Sequence, residues 1–160
     1  MNRALQAIVT CISMLFLTNP GFAYETGGFL YVHAFNKTKY TCTITHQKIK
    51  HGYWFYQPPD SIAANAEGGW TGSQTAVYGP DMVVTLKCGG YSFTVENRQN
   101  LSLFIAGNQH CKTYNVDKHL SVTNKQTKHA SIHEGGIAEI TVSLKVGHLE
   151  LNKTVNKNPS

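Results

Sequence analysis

A hairpin near the middle of the chain limits the possible folds more than any other feature. Met82 to Cys88 alternates apolar and polar residues, Gly89-Gly90 follows, and Tyr91, Phe93 and Val95 resume the alternation. Side chains of an extended chain point to opposite faces in turn, so Met82, Val84 and Leu86 share one face of a half-buried strand. A Gly-Gly pair between two such runs is the turn chemistry of an antiparallel hairpin. The same period of two recurs on either side. Gly27 to Asn36 sets Phe29, Tyr31, His33 and Phe35 opposite Leu30, Val32 and Ala34, and Tyr40 to His46 sets Tyr40, Cys42, Ile44 and His46 opposite threonines. Gly69 to Thr75 and His119 to Thr123 read as short strands, and Leu101 to Ala106 as an apolar one. Ile137 to Val146 sets Ala138, Ile140, Val142, Leu144 and Val146 against Ile137, Glu139 and Thr141, while residues 107–118 are polar and turn-rich and read as a loop. After residue 23 no segment carries helical periodicity over three turns. Short strands without helices predict one all-β domain, a sandwich or a barrel.

The N-terminal region has a different character. Arg3 supplies a short charged start, Ala4 to Leu17 is mostly apolar, and Gly21-Phe22-Ala23 puts small residues at cleavage-type positions. This is the layout of a secretory signal peptide over residues 1–23. Asn19-Pro20-Gly21 breaks the apolar run before it reaches the length of a membrane span. The expected organisation is a signal peptide (1–23), a β domain (24–148) and a frayed polar tail (149–160), in a secreted or periplasmic protein. Removing Arg3 takes the basic residues from 14 to 13 against 9 acids, so the mature charge falls from +5 to +4. That modest excess favours anionic surfaces such as lipid or polysaccharide. No run of consecutive basic residues points to nucleic acid.

Cys42, Cys88 and Cys111 remain after processing. In an oxidising compartment they imply one disulfide and one thiol. Cys88 next to the Gly-Gly turn and Cys111 in a polar segment form the first-choice pair. Cys42–Cys88 is the alternative, since both can point into the same core.

Between the second strand and the hairpin lies IKHGYWFYQPPDSIAANAEGGW, residues Ile49 to Trp70. Tyr53, Trp54, Phe55 and Tyr56 cannot all face one core, because neighbours on a strand alternate. Pro58-Pro59 removes two backbone donors and keeps its segment out of a central strand. An aromatic-laden connection of this kind suits recognition at an interface, where tyrosine and tryptophan offer an apolar body and a polar end. Trp54 and Trp70 either join that platform or plug an end of the sandwich. Lys48, Lys50 and Lys87 are the basic residues expected to support it by attraction to anionic lipid.

Catalytic motifs are missing from the sequence: no Gly-x-Ser-x-Gly, no His-Glu-x-x-His and no phosphate loop. The acids are scattered, so a non-enzymatic protein without cofactor is expected. His110, His119, His129 and His133 lie near Cys111; His129 and His133, four apart, are the weak candidates for a metal site. Asn36-Lys-Thr38, Asn100-Leu-Ser102 and Asn152-Lys-Thr154 have the form of glycosylation acceptors.

His51-Gly52, Trp54, Pro58-Pro59, Ile62, Gly68-Gly69-Trp70, Gly79 and the following hairpin together resemble the aegerolysin type of protein, with its hemolysin-like and bacterial crystal-protein relatives. The resemblance spans residues 28–97. It implies a single-domain antiparallel β-sandwich of actinoporin-like architecture that binds membrane lipid, in some cases as the docking partner of a pore former. The expected partner is therefore a membrane lipid surface reached by Tyr53, Phe55 and Tyr56. The competing expectation is a protein partner, for an inhibitor, immunity-type protein or adhesin using the same loop.

Overall fold

In the computed structural model residues 28–75, 79–100, 109–130 and 135–145 are described here. They contain strands and no helix. The strands are β1 (Phe29–Asn36), β2 (Cys42–His51), β3 (Tyr53–Tyr56), β4 (Ser61–Ile62), β5 (Glu67–Ser73), β6 (Asp81–Cys88), β7 (Tyr91–Gln99), β8 (Gln109–Tyr114), β9 (Leu120–Lys128) and β10 (Gly136–Leu144). A front sheet in the order β3-β5-β1-β10-β9 faces a back sheet in the order β4-β2-β6-β7-β8, which is a β-sandwich. The apolar sets of the alternating strands meet between them. Leu30, Val32, Ile140 and Val142 come from the front sheet, and Val84, Leu86, Phe93 and Val95 from the back. Fully burying one such side chain contributes about 1.5–3 kcal/mol.

The hairpin forms as its sequence requires: Cys88 pairs with Tyr91, and Gly89 and Gly90 have φ of 60° and 108°. Both turn positions thus lie in the left-handed region, where glycine carries no steric cost. Three strand features depart from the sequence reading. A bulge between Ile44 and His46 turns His46 to the opposite face from Cys42 and Ile44. Gln109–Tyr114 is strand β8, not a loop; its alternation is one of polar residues, because it is an edge strand pairing with β7 through Asn97↔Cys111 and Glu96↔Lys112. The front sheet is mixed, with β1 parallel to β10 (Val32↔Ala138). First and last strands need no hairpin between them, so nothing forces them antiparallel. The apolar segment 101–106, the proposed leader and the polar tail lie outside the described residues.

The disulfide is Cys42–Cys88, which corrects the first-choice pairing of Cys88 with Cys111. Cys42 and Cys88 are register partners on adjacent strands β2 and β6, and both are fully buried. β7 stands between β6 and β8, so Cys111 lies two strands from Cys88. That is roughly 9–10 Å at ordinary strand spacing, beyond disulfide reach. Cys111 is a half-buried thiol whose ionisation burial pushes up, and Asn97 Nδ2 lies 3.6 Å from its sulfur. A disulfide of this kind belongs to an oxidising, extracellular or periplasmic compartment.

The lower end of the sandwich is tied by Asn36. Its Nδ2 donates to the carbonyls of Tyr40 (2.7 Å), Ile62 (3.1 Å) and Ala63 (2.8 Å), and its Oδ1 accepts from the Thr38 amide and hydroxyl. A buried amide satisfied in this way has no free nitrogen for a glycan, so the Asn36-Lys-Thr38 triplet is a structural turn in the folded protein.

Candidate functional site: an aromatic terrace on an edge strand

The chain passes from the back sheet to the front sheet in a single residue. β2 ends at His51, β3 begins at Tyr53, and Gly52 between them has φ of 85°. A Cβ there would sit 2.2 Å from the Ser73 carbonyl oxygen, so only glycine makes this crossing. β3 then runs along the outer edge of the front sheet, paired to β5 by Tyr53↔Ser73 and Trp54↔Gly72.

The next pair is Tyr56↔Thr71, so Phe55 is an extra residue opposite no partner. Such a bulge breaks the alternation of faces and directs neighbouring side chains to the same side. Trp54 turns inward and packs against the core. Phe55 and Tyr56, adjacent in sequence, meet edge-to-face with ring centroids 4.7 Å apart. Phe55 rests edge-to-face on Phe29 of β1 at 5.0 Å, and Phe29 stacks on Tyr31 at 6.1 Å. Offset and edge-to-face pairs of this sort contribute about 0.5–1.5 kcal/mol each beyond burial.

A terrace results, anchored on half-buried and buried rings and topped by exposed ones. Tyr53, Phe55 and Tyr56 are 50%, 43% and 55% exposed. Trp70 of β5 is only 2% exposed and belongs to the core, the plugging role weighed for it above. Pro58-Pro59 follows in the return crossing to β4, where the Asp60 carbonyl accepts from the Ile44 amide at 2.9 Å. Phe29 and Tyr31, which support the terrace from a distant strand, were legible in the sequence only as one face of β1.

The basic residues expected beside these rings stand elsewhere. Lys48, Lys50 and Lys87 are on the outer face of the back sheet, and Lys87 pairs with Thr43 toward its other end. Lys50 is also committed: its ammonium donates to Glu96 Oε1, while the Tyr114 hydroxyl donates to Glu96 Oε2. Burial alone would raise the Glu96 carboxyl, but these two donors outweigh it and hold it below its ordinary value. Asp81, 4% exposed beside them, is pushed up by burial, only partly offset by Lys50. His129 is exposed just past β9, His133 lies outside the described residues, and no group of three potential metal ligands occurs among the described residues.

No family model matches the chain, and no curated protein matches it in sequence. Solved structures do match in fold. The crystal structure of the lipid-binding protein Nakanori superposes with a TM-score of 0.58 at 10% identity, over 87% of this chain and 77% of that one. The RahU protein, solved in complex with a TRIS molecule, superposes with a TM-score of 0.56 at 10% identity, over 75% of this chain and 97% of RahU. The chain has the β-sandwich fold of these two proteins.

Proposed function

We propose that this is a non-enzymatic, exported protein that attaches to membrane lipid through the terrace of Tyr53, Phe55 and Tyr56. The observation that carries the reading is three exposed rings on one edge strand, two of which, Phe55 and Tyr56, meet edge-to-face over a foundation of two further rings. Such a cluster costs free energy in water and gains it at the headgroup level, where ring bodies meet acyl chains and tyrosine hydroxyls stay hydrated. The lipid-binding description of Nakanori supports it, and so does the disulfide, which fits an oxidising compartment beyond a secretory leader. The likeness of the His51–Trp70 block to aegerolysins points the same way. Among the described residues there is no helix long and apolar enough to cross a membrane, so attachment by these rings is interfacial insertion.

Each ring withdrawn from water contributes about 1–2 kcal/mol, or roughly 5- to 30-fold in affinity. Phe55→Ala with Tyr56→Ala is therefore expected to lower co-sedimentation with liposomes by more than tenfold, while the protein stays folded with a thermal midpoint lowered by the loss of the two ring pairs. Equal sedimentation of parent and variant across neutral, anionic and sphingolipid vesicles would sink the reading. A protein partner is the second reading, favoured by one observation: among the described residues β3 is paired on one side only, and another strand can add to its outer edge. Capture of a partner lost on the same substitutions, with no vesicle binding, would select it.

A further inference from the structure

The outer face of the back sheet carries charge in a pattern the terrace does not use. Register places Lys48, Lys87, Arg98 and Lys112 on that face, with Lys50 reaching onto it to meet Glu96. Asp81 and Glu96 are the acids that register places there, so among the described strand residues five cations stand against two acids, a net +3, with His46, His51 and His110 among them. Among the described strand residues the front sheet's outer face has Lys125 and Lys128 against Glu67 and Glu139, a net of zero. The sandwich is thus electrically polarised across its thickness. The two acids of the back face are also muted: Lys50 and Tyr114 occupy Glu96, and Asp81 is buried.

We propose that the outer face of the back sheet is a second binding surface, independent of the terrace, that takes a linear polyanionic glycan, sulfated or carboxylated. The outer faces of a sandwich point in opposite directions. A flat bilayer lying against Tyr53 and Tyr56 therefore leaves this face turned away and open to a different anionic partner. Among the described residues Tyr114 is the exposed large hydrophobic on this face, and its hydroxyl is engaged by Glu96, so the face holds charge without a set of insertion anchors. Neighbouring strands put Arg98 beside His110 and Glu96 beside Lys112 at roughly 5 Å intervals, a spacing that follows a chain lying across the strands. The disulfide fits an oxidising compartment, apart from cytosolic nucleic acid, and on that ground the proposed polyanion is an acidic glycan.

The test uses the full chain with dextran sulfate and alginate, neutral dextran as the control, and duplex DNA as the competing polyanion. Retention on both acidic glycans, weakening with salt, is expected. Arg98→Glu with Lys112→Glu should lower affinity at least tenfold in a variant still folded by circular dichroism, its thermal midpoint reduced by the new carboxylates beside Asp81 and Glu96, whereas Phe55→Ala with Tyr56→Ala should leave glycan binding intact. Conversely, the charge-reversed variant should still sediment with neutral liposomes, so failure of the lipid reading and failure of this one are distinct results. Equal retention on neutral dextran, tighter binding to DNA than to either glycan, or no effect of charge reversal in a folded variant each overturns the proposal.

Discussion

Asp81 shows how one side chain records the conflict between packing and charge. It opens β6 next to Gly79-Pro80, where the bend into the strand folds it against the sheet, and its Oδ1 has no hydrogen-bond partner. Burial raises its carboxyl, with Lys50 opposing and Glu96 close by. A carboxyl whose folded value is raised binds protons more readily in the folded state than in the unfolded one. Ionised Asp81 therefore costs stability at neutral pH, and that cost disappears as pH falls below its raised value. Asp81→Asn is expected to raise the thermal midpoint at pH 8 by a few degrees, with the gain shrinking toward pH 4; a gain that grows on acidification would reverse the sign. Glu96 runs the other way, since Lys50 and Tyr114 stabilise its ionised form and that contribution is lost on acidification through its lowered value. Neither behaviour was legible in the sequence. The two acids are fifteen positions apart, and only the β6–β7 register brings them, with Lys50 of β2, to one place.

At the level of strands, legibility followed local chemistry. β1, β6, β7 and β10 announced themselves because one face of each is buried and alternation is the imprint of a half-buried strand, whereas β2 alternates only in its first residues before bulges at Thr45 and Lys50 break its register. β8 did not, since Gln109, Cys111 and Thr113 alternate with His110, Lys112 and Tyr114, a pattern without apolar contrast. The aromatic run was read correctly as too dense for one face, yet the device that resolves it, a bulge at Phe55, depends on pairing with β5 and leaves no mark of its own. Gly52 is the element-scale hinge of the site. Gly52→Ala has to adopt a positive φ and push a methyl into the Ser73 carbonyl, so β3 should detach from β5 or the fold lose about 2–4 kcal/mol. Urea unfolding together with near-ultraviolet circular dichroism of the aromatic cluster measures both; an unchanged midpoint and spectrum would show that the crossing tolerates a side chain.

Among the described residues the sandwich is held by its core and by one covalent link across the back sheet. Cys42–Cys88 closes a loop with a sequence separation of 46. In the chain-entropy picture such a loop contributes about 4 kcal/mol by restricting the unfolded chain. Cys42→Ala with Cys88→Ala is expected to lower stability by about 2–4 kcal/mol in urea titrations, and reduction of the parent protein should match it. A loss below about 0.5 kcal/mol would place the burden on packing alone. The choice between Cys42 and Cys111 as partner of Cys88 is a question of strand order, which local sequence does not encode. The sandwich itself was legible because its evidence is repeated along the chain.

The pairing of β1 with β10 has a bearing on how such a chain is made. Val32 lies beside Ala138, 106 positions later, in the middle of the front sheet. A ribosome adding about 5–20 residues per second takes several seconds to cover that interval. During it the N-terminal strand has its β5 neighbour on one flank and a vacancy on the other. The finished centre of the sheet waits for β10, so the front sheet closes only when nearly all of the described strands have been made.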